Sequence, residues 1–278
     1  MTIKKFSLHA VTYTALIALA MLIAFPIYVT FVTAFKSPAE SAANFFSLPH
    51  TLYLENFIEV MSDEHFSDYC MNSLLVTIGA VGLISIIVPT VAYAISQNMK
   101  RNRFFNFLYF FFIVSIFCPF TVLMIPTARV ASRLGVMNQV GLVMIYCAFA
   151  LGQGVYLYTG YYKSIPLELV EAAKIDGCGV LGSFSRIVFP LSKPMFVTIV
   201  ILNTLWIWND FQLPLIILNK SADMWTLPIY QYNFKSTYSF NYNLAFASFM
   251  FSIIPMIIMY AFCQRYIIEG LTAGAVKS

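Results

Sequence analysis

NSLLVTIGAVGLISIIVPTVAYAISQ, residues 72–97, decides the fold. It carries no charged side chain, and about 20 residues of helix suffice to cross the ~30 Å hydrocarbon core of a bilayer. Five similar apolar runs accompany it, at residues 8–35, 104–123, 140–158, 195–218 and 247–267. The chain has 278 residues, 60% of them hydrophobic and 10% charged, with a mean hydropathy of +0.79. So little polar surface cannot enclose so much apolar side chain, and the bilayer must act as solvent. The runs are long and lack the ten-residue alternation of lipid-facing strands, so an all-α membrane protein with six transmembrane helices is expected rather than a barrel.

The first run follows Lys4 and Lys5 but is far longer than the apolar region of a signal peptide, and no small-residue cleavage site closes it. It is expected to remain as a span. Five cysteines without a C-x-x-C pair and three histidines, His9, His50 and His65, offer a metal site or proton relay little to work with. The cysteines are read as small apolar residues in helices.

Charge sets the orientation. With a cytoplasmic N-terminus, six spans put Lys4, Lys5, Lys100, Arg101, Arg103, Lys163, Lys174, Arg186, Lys193, Arg265 and Lys277 inside, and only Lys36, Arg129, Arg133, Lys220 and Lys235 outside. That bias obeys the positive-inside rule and puts both termini in the cytoplasm. Dispersed along membrane edges, the bases call for no nucleic-acid partner. The division that follows is residues 1–71, a first span and external loop; residues 72–267, a five-helix core with a long cytoplasmic loop at 159–194; and residues 268–278, a cytoplasmic tail. A short helix is expected near residues 54–61. A small interfacial helix is expected after Pro126, with Arg129 and Arg133 on one face at the headgroup level and a breaker at Gly135. Gly152 and Gly154, in the fourth run, fit close helix packing.

The loop at 159–194 is too long to lack structure of its own. Ser164 is read as an N-cap, Pro166 as a first-turn residue, and a helix is predicted over 166–175. Asp176-Gly177 supplies the turn, with Gly177 in the left-handed conformation that ends helices. A second short helix is predicted over 180–187, stopped by Pro190. Glu171, Ala172 and Ala173 put a carboxylate beside two minimal side chains, a surface that another protein can approach closely.

The loop as a whole, Ile165-Pro166-x-Glu168-Leu169-x-Glu171-Ala172-Ala173-x-Ile175-Asp176-Gly177 with Ile187 and Pro190 at fixed distance, resembles the EAA loop of ABC importer permeases. It is most similar to the carbohydrate-uptake branch of the binding-protein-dependent permeases, and to the maltose-type subunit with a short cytoplasmic C-terminal tail. Trp208-Asn209-Asp210-Phe211-x-x-Pro214-Leu215, Thr226-Leu227-Pro228, Gln264-Arg265-Tyr266 and Gly270-Leu271-Thr272-Ala273-Gly274-Ala275-Val276-Lys277 match in order. Phe189 and Ala275 depart from the pattern, which often has Leu and Gly there.

The resemblance implies a type I ABC importer permease fold in a bacterial inner membrane, importing a carbohydrate, with an oligosaccharide favoured. Glu171, Ala172, Ala173, Asp176 and Gly177 would couple to an ATPase subunit, and Gly270, Leu271, Thr272 and Gly274 would reach the ATPase dimer. The implied partners are a second homologous permease, two ATPase subunits, an extracytoplasmic sugar-binding protein and membrane lipid. No G-x-x-x-x-G-K-[ST] occurs in the sequence, so no enzymatic role or cofactor is expected here, with ATP and Mg on the partner ATPases.

Asp210 is the ionisable residue deepest in a predicted span, roughly 22 Å from residue 195 at 1.5 Å per residue. Asn203, Trp206, Trp208, Asn209 and Asp210 are candidates for the substrate pathway, because aromatic rings beside amides and carboxylates suit sugars. An equal reading is that Asn209 and Asp210 fasten this helix to its neighbours. Two functional alternatives are a permease for another solute, such as a phosphorylated polyol or peptide, and a channel or membrane enzyme working without an ATPase.

Overall fold

The computed structural model describes residues 2–234 and 241–275, with side chains described except at residues 2–10, 174 and 265–275. Every regular element among them is helical: α1 (Thr2–Ala34), α2 (Pro38–Ala43), α3 (Glu55–Met61), α4 (Phe66–Asn98), α5 (Arg103–Ile116), α6 (Phe120–Arg133), α7 (Gln139–Tyr162), α8 (Leu167–Ile175), α9 (Val180–Ser183), a π turn (Phe184–Val188), α10 (Phe189–Leu191), α11 (Lys193–Asn209), α12 (Gln212–Ile217), a 3-10 turn (Ala222–Met224), α13 (Leu227–Tyr232) and α14 (Tyr242–Ala275). Among the described residues four helices are long and apolar enough to cross a membrane alone, and six spans result if each of two bent pairs counts as one.

The first of those pairs and a break within the fifth run correct two expected spans; the second pair joins Val180–Leu191 to Lys193–Asn209 at 75°. The run 104–123 is not one helix: α5 ends at Ile116, and α6 leaves at 112° to it. Pro119 stands at the break as the N-cap of α6, where its preset φ and missing N–H are tolerated, and it disfavours a helical Cys118 before it. The run 195–218 is also interrupted, since α11 ends at Asn209 and Asp210 is extended, with ψ 128°. Pro214 offers no N–H to the Asp210 carbonyl four residues back and crowds it, which favours a break at this point. Cys118 and Cys178 lie outside the helices; all five cysteines are free.

The chain divides into two compact units, Met1–Ser67 with Tyr230–Pro255, and Asp68–Ile229 with Met256–Ser278. In the first, α1 exposes most of its apolar side chains from Val11 to Phe31 and buries only its last turns, at Val29, Val32, Thr33 and Ala34. Orphan carbonyls at that helix end are taken up by two buried amides. Asn56 Nδ2 donates to the Ala34 and Lys36 carbonyls, both at 2.8 Å. Asn243 Nδ2 lies within 3.0 Å of the Thr33 carbonyl, the Lys36 carbonyl and the Ser41 hydroxyl. The Lys36 ammonium, fully buried, donates to the Asn44 carbonyl at 2.9 Å and the Ser47 hydroxyl at 3.0 Å. Asn243→Ala strands buried carbonyls and is expected to lower stability by about 2 kcal/mol. Thermal melting checks this, with Ser41→Ala, which removes a single partner, falling less.

In the second unit the core is organised on α4, whose Val76, Ala80, Ile84, Val88 and Ala92 recur every four residues and are all buried, the stripe that one helical face requires. Against it lie Leu142, Tyr146, Ala150 and Tyr158 of α7. Gly152 and Gly154 permit the approach: a Cβ at Gly154 would run into Val88 Cγ1, and one at Gly152 into the Ser115 hydroxyl. The close-packing expectation for this pair is met.

Candidate functional site

Two neighbourhoods of the second unit carry the candidate residues. The first is the loop around α8. The helix begins at Leu167, one residue later than predicted, and Ser164 does not cap it: its hydroxyl donates to the Tyr161 carbonyl at 2.7 Å and so serves the end of α7. Pro166 explains the shift, because it drives Ile165 out of helical conformation and puts Ser164 beyond reach of the first turn of α8. The other end is as expected. Gly177 has φ +81°, and Cys178 N–H donates to the Ala173 carbonyl at 2.9 Å, the six-to-one bond of a Schellman cap.

Beyond it the chain does not stop at Pro190. It widens into the π turn, in which Phe189 N–H reaches the Phe184 carbonyl, and continues through α10 to Ser192. A wide turn relieves the clash that Pro190 would otherwise make with the carbonyl of Arg186.

Of the predicted coupling residues, Glu171, Ala172, Asp176 and Gly177 are exposed. Ala173 is not: it is 4% exposed and, with Val170 at 3%, forms the inner face of α8. Its small side chain lets α8 sit against its own protein, which leaves Ala172 as the minimal side chain on the outer face. Sequence reasoning missed the apolar tip beside them, where Ile175 is 86% and Leu181 80% exposed, with Val180 between. Apolar side chains so exposed beside Glu171 and Ala172 set this part of the loop apart from a polar, solvated turn. The signal was available in the sequence as three apolar residues around a Gly-containing turn.

The loop is tied mechanically to two long helices. Phe184 in the π turn stacks at a tilt on Tyr93 of α4, 5.0 Å between ring centroids, and Tyr93 meets Tyr162 of α7 edge-on at 5.9 Å. Tyr162 donates to the Pro89 carbonyl of α4 at 3.1 Å, and Tyr161 to the Leu191 carbonyl at 3.1 Å. The π turn is thus packed onto α4 and α7 through rings rather than joined to them by a slack loop.

The second neighbourhood is a cavity of about 830 Å³ between α5, α6, α7 and α11, within the size range of small-ligand sites. Its wall is aromatic and aliphatic, including Phe112, Phe120 and Phe149, with Ser115, Thr127, Gln153 and Asn203 as polar points and Trp206 at its edge. Of the five candidates in the fifth run, Asn203 and Trp206 line it. Trp208 is 6% exposed and packed away from it. Asn209 is exposed and donates back to the Leu205 carbonyl at 2.7 Å.

Asp210 is a clamp beside the cavity rather than part of its lining. One carboxylate oxygen accepts from the fully buried Tyr146 hydroxyl at 2.8 Å, and the other from Gln212 N–H at 3.0 Å. The fastening reading of Asp210 thus has its partner in Tyr146, which no sequence signal marked. Tyr146 also meets Trp206 edge-on at 5.3 Å, so the clamp positions the one tryptophan that faces the cavity. Gly270, Leu271, Thr272 and Gly274 belong to the stretch of α14 whose side chains lie outside the described residues.

With this geometry in view, the resemblances to known proteins are specific. The family described as binding-protein-dependent transport system inner membrane component matches residues 85–271. The chain is 41% identical to the multiple sugar-binding transport system permease protein MsmG of Streptococcus mutans, over 95% of this chain and 96% of that protein. It is 35% identical to the probable starch degradation products transport system permease protein AmyC of Thermoanaerobacterium thermosulfurigenes, over 94% of each. In fold it is similar to a chain from a bacterial ABC transporter involved in the import of the acidic polysaccharide alginate, with TM-score 0.84 at 23% identity, covering 96% of this chain and 98% of that one.

Proposed function

We propose, on the premise that this chain belongs to the family of binding-protein-dependent ABC transporter permeases, carbohydrate-uptake type, that it is one half of the membrane pathway of an oligosaccharide importer. It is a multi-pass inner-membrane permease subunit and not itself an enzyme. ATP is bound and hydrolysed on two partner subunits, a second permease completes the pathway, and an extracytoplasmic binding protein delivers the sugar. The observation that carries the coupling role is α8: Glu171 and Ala172 on its outer face and the apolar tip of Ile175, Val180 and Leu181 beside them.

The ATPase docks on that surface. When its dimer closes on ATP, α8 moves with it, and the Phe184-Tyr93-Tyr162 ring chain carries the displacement into α4 and α7, which turns the pathway from inward- to outward-facing. The permease contributes differential contacts in the two states and no bond chemistry. Asn203 and Trp206 are the sugar-facing residues of this half, with the amide pairing hydroxyls and the indole stacking on C–H faces. Asp210 and Tyr146 hold them in place. The sugar reading rests on the likeness to MsmG and AmyC.

Uptake by the reconstituted assembly tests this reading, with labelled oligosaccharides set against a peptide and glycerol 3-phosphate. Transport of the peptide or phosphate without the oligosaccharides would overturn it. Trp206→Ala is expected to raise the half-saturating sugar concentration roughly ten-fold, the equivalent of ~1.4 kcal/mol of lost contact, while the variant inserts normally.

A further inference from the structure

We infer that the groove between α6 and α12 binds the phosphate of an anionic phospholipid, with the start of an acyl chain along its floor. The groove is open, about 520 Å³, and lined by Ile125, Ala128, Arg129, Ser132, Arg133, Met137 and Ile216. Arg129 and Arg133 are one helical turn apart, so their guanidinium groups project from the same face of α6. Both are exposed.

Nothing near them in the chain neutralises that charge. The sequence holds no Asp or Glu between Asp68 and Glu168. Asp210 has its two carboxylate oxygens held by Tyr146 and Gln212, and among the described residues no acid forms an ion pair with either arginine. The dipole of α6 favours a cation in its last turn and accounts for Arg133, but not for Arg129 a turn earlier. Paired guanidinium groups without an acid suit a phosphodiester, which they can hold by several N–H donors at once.

Two further features choose a lipid over a soluble anion. The floor is apolar and contributed by three elements, with Ile125 of α6 64% exposed, Met137 before α7 and Ile216 of α12; a free anion has no use for it. And α6 leaves α5 at 112°, close to perpendicular, so it does not continue the direction of α5, and a basic helix turned across the span direction is the setting in which lipid headgroups are met. Its opposite face, at Leu123, Thr127, Val130 and Leu134, lines the large cavity. A headgroup on the arginine face would therefore steady the wall of the pathway.

The test uses the purified transporter assembly in detergent, with phosphatidylglycerol or phosphatidylcholine of identical chains, read by native mass spectrometry and thermal melting. Wild type should retain more phosphatidylglycerol than phosphatidylcholine and melt higher with it. R129Q/R133Q should keep one fewer phosphatidylglycerol per copy of this chain and lose that part of the shift, while R129K/R133K, which keeps the charge without the planar fork, falls between. Equal retention in R129Q/R133Q and wild type would overturn the inference, since the bound lipid would then sit elsewhere, for example at Lys100, Arg101 and Arg103. So would an equal melting shift from glycerol 3-phosphate alone, which would make this a soluble-anion site. If the double variant disperses in phosphatidylcholine, the single variants Arg129→Gln and Arg133→Gln are read in the same way.

Discussion

Glu171→Lys is expected to leave the protein inserted and folded and to reduce uptake by two orders of magnitude or more. The reasons lie on different sides of one surface. Within the chain, Glu171 is exposed on the outer face of α8, and a substitution there, away from the Val170 and Ala173 inner face, is worth within about 0.5 kcal/mol of stability. At a docked interface the same change replaces an attractive pairing by a buried like charge, a loss of roughly 2–5 kcal/mol. Each 1.4 kcal/mol is a factor of ten. Three measurements separate the terms: melting temperature unchanged, co-purification of the ATPase reduced, and sugar-dependent ATP hydrolysis and uptake lost together. Glu171→Gln should fall between, since it keeps shape and drops charge. Normal uptake in the lysine variant would remove α8 from the coupling path.

Gly154→Leu is expected to prevent accumulation of folded protein, and here two opposed magnitudes have to be compared. Leucine is favoured over glycine in a helix by about 0.8 kcal/mol. Against that, its Cβ alone would overlap Val88 Cγ1, and overpacking a well-filled contact costs typically 1–3 kcal/mol, more when backbones must part. The clash wins. Gly160 on the same helix is the control, because a Cβ there meets nothing within 4 Å. Gly160→Ala should show the propensity gain alone, with a slightly raised melting temperature. Gel-filtration yield and melting distinguish the two positions, and equal tolerance at Gly154 and Gly160 would mean that α4 and α7 are not held at this distance.

What could be read along the chain was what depends on near neighbours in sequence. The short helix predicted at 54–61 is α3, the residues expected to be helical after Pro126 form the second half of α6, and Gly135 and Gly177 both take positive φ, at 71° and 81°. Proline misled the reading where it was weighed alone. Pro190 does not end its helix, because a π turn absorbs it, whereas Pro119 and Pro214, given no weight, mark the two breaks that interrupt expected spans. The sequence does not say whether a helix will widen its turn or break at a proline; the packing around it does.

By itself the sequence determined that the chain is helical and membrane-bound, where its long helices lie, and that an exposed Glu171 helix closes on a glycine turn. Those follow from run length, hydropathy and backbone chemistry, which act over a few residues. Tertiary structure alone decided that Ala173 faces inward, that Asp210 is a clamp on Tyr146 rather than a cavity residue, and that Asn203 and Trp206 share a wall with Phe112 and Phe149. Each of these rests on a contact between residues tens of positions apart, whose free energy exists only once the helices have packed.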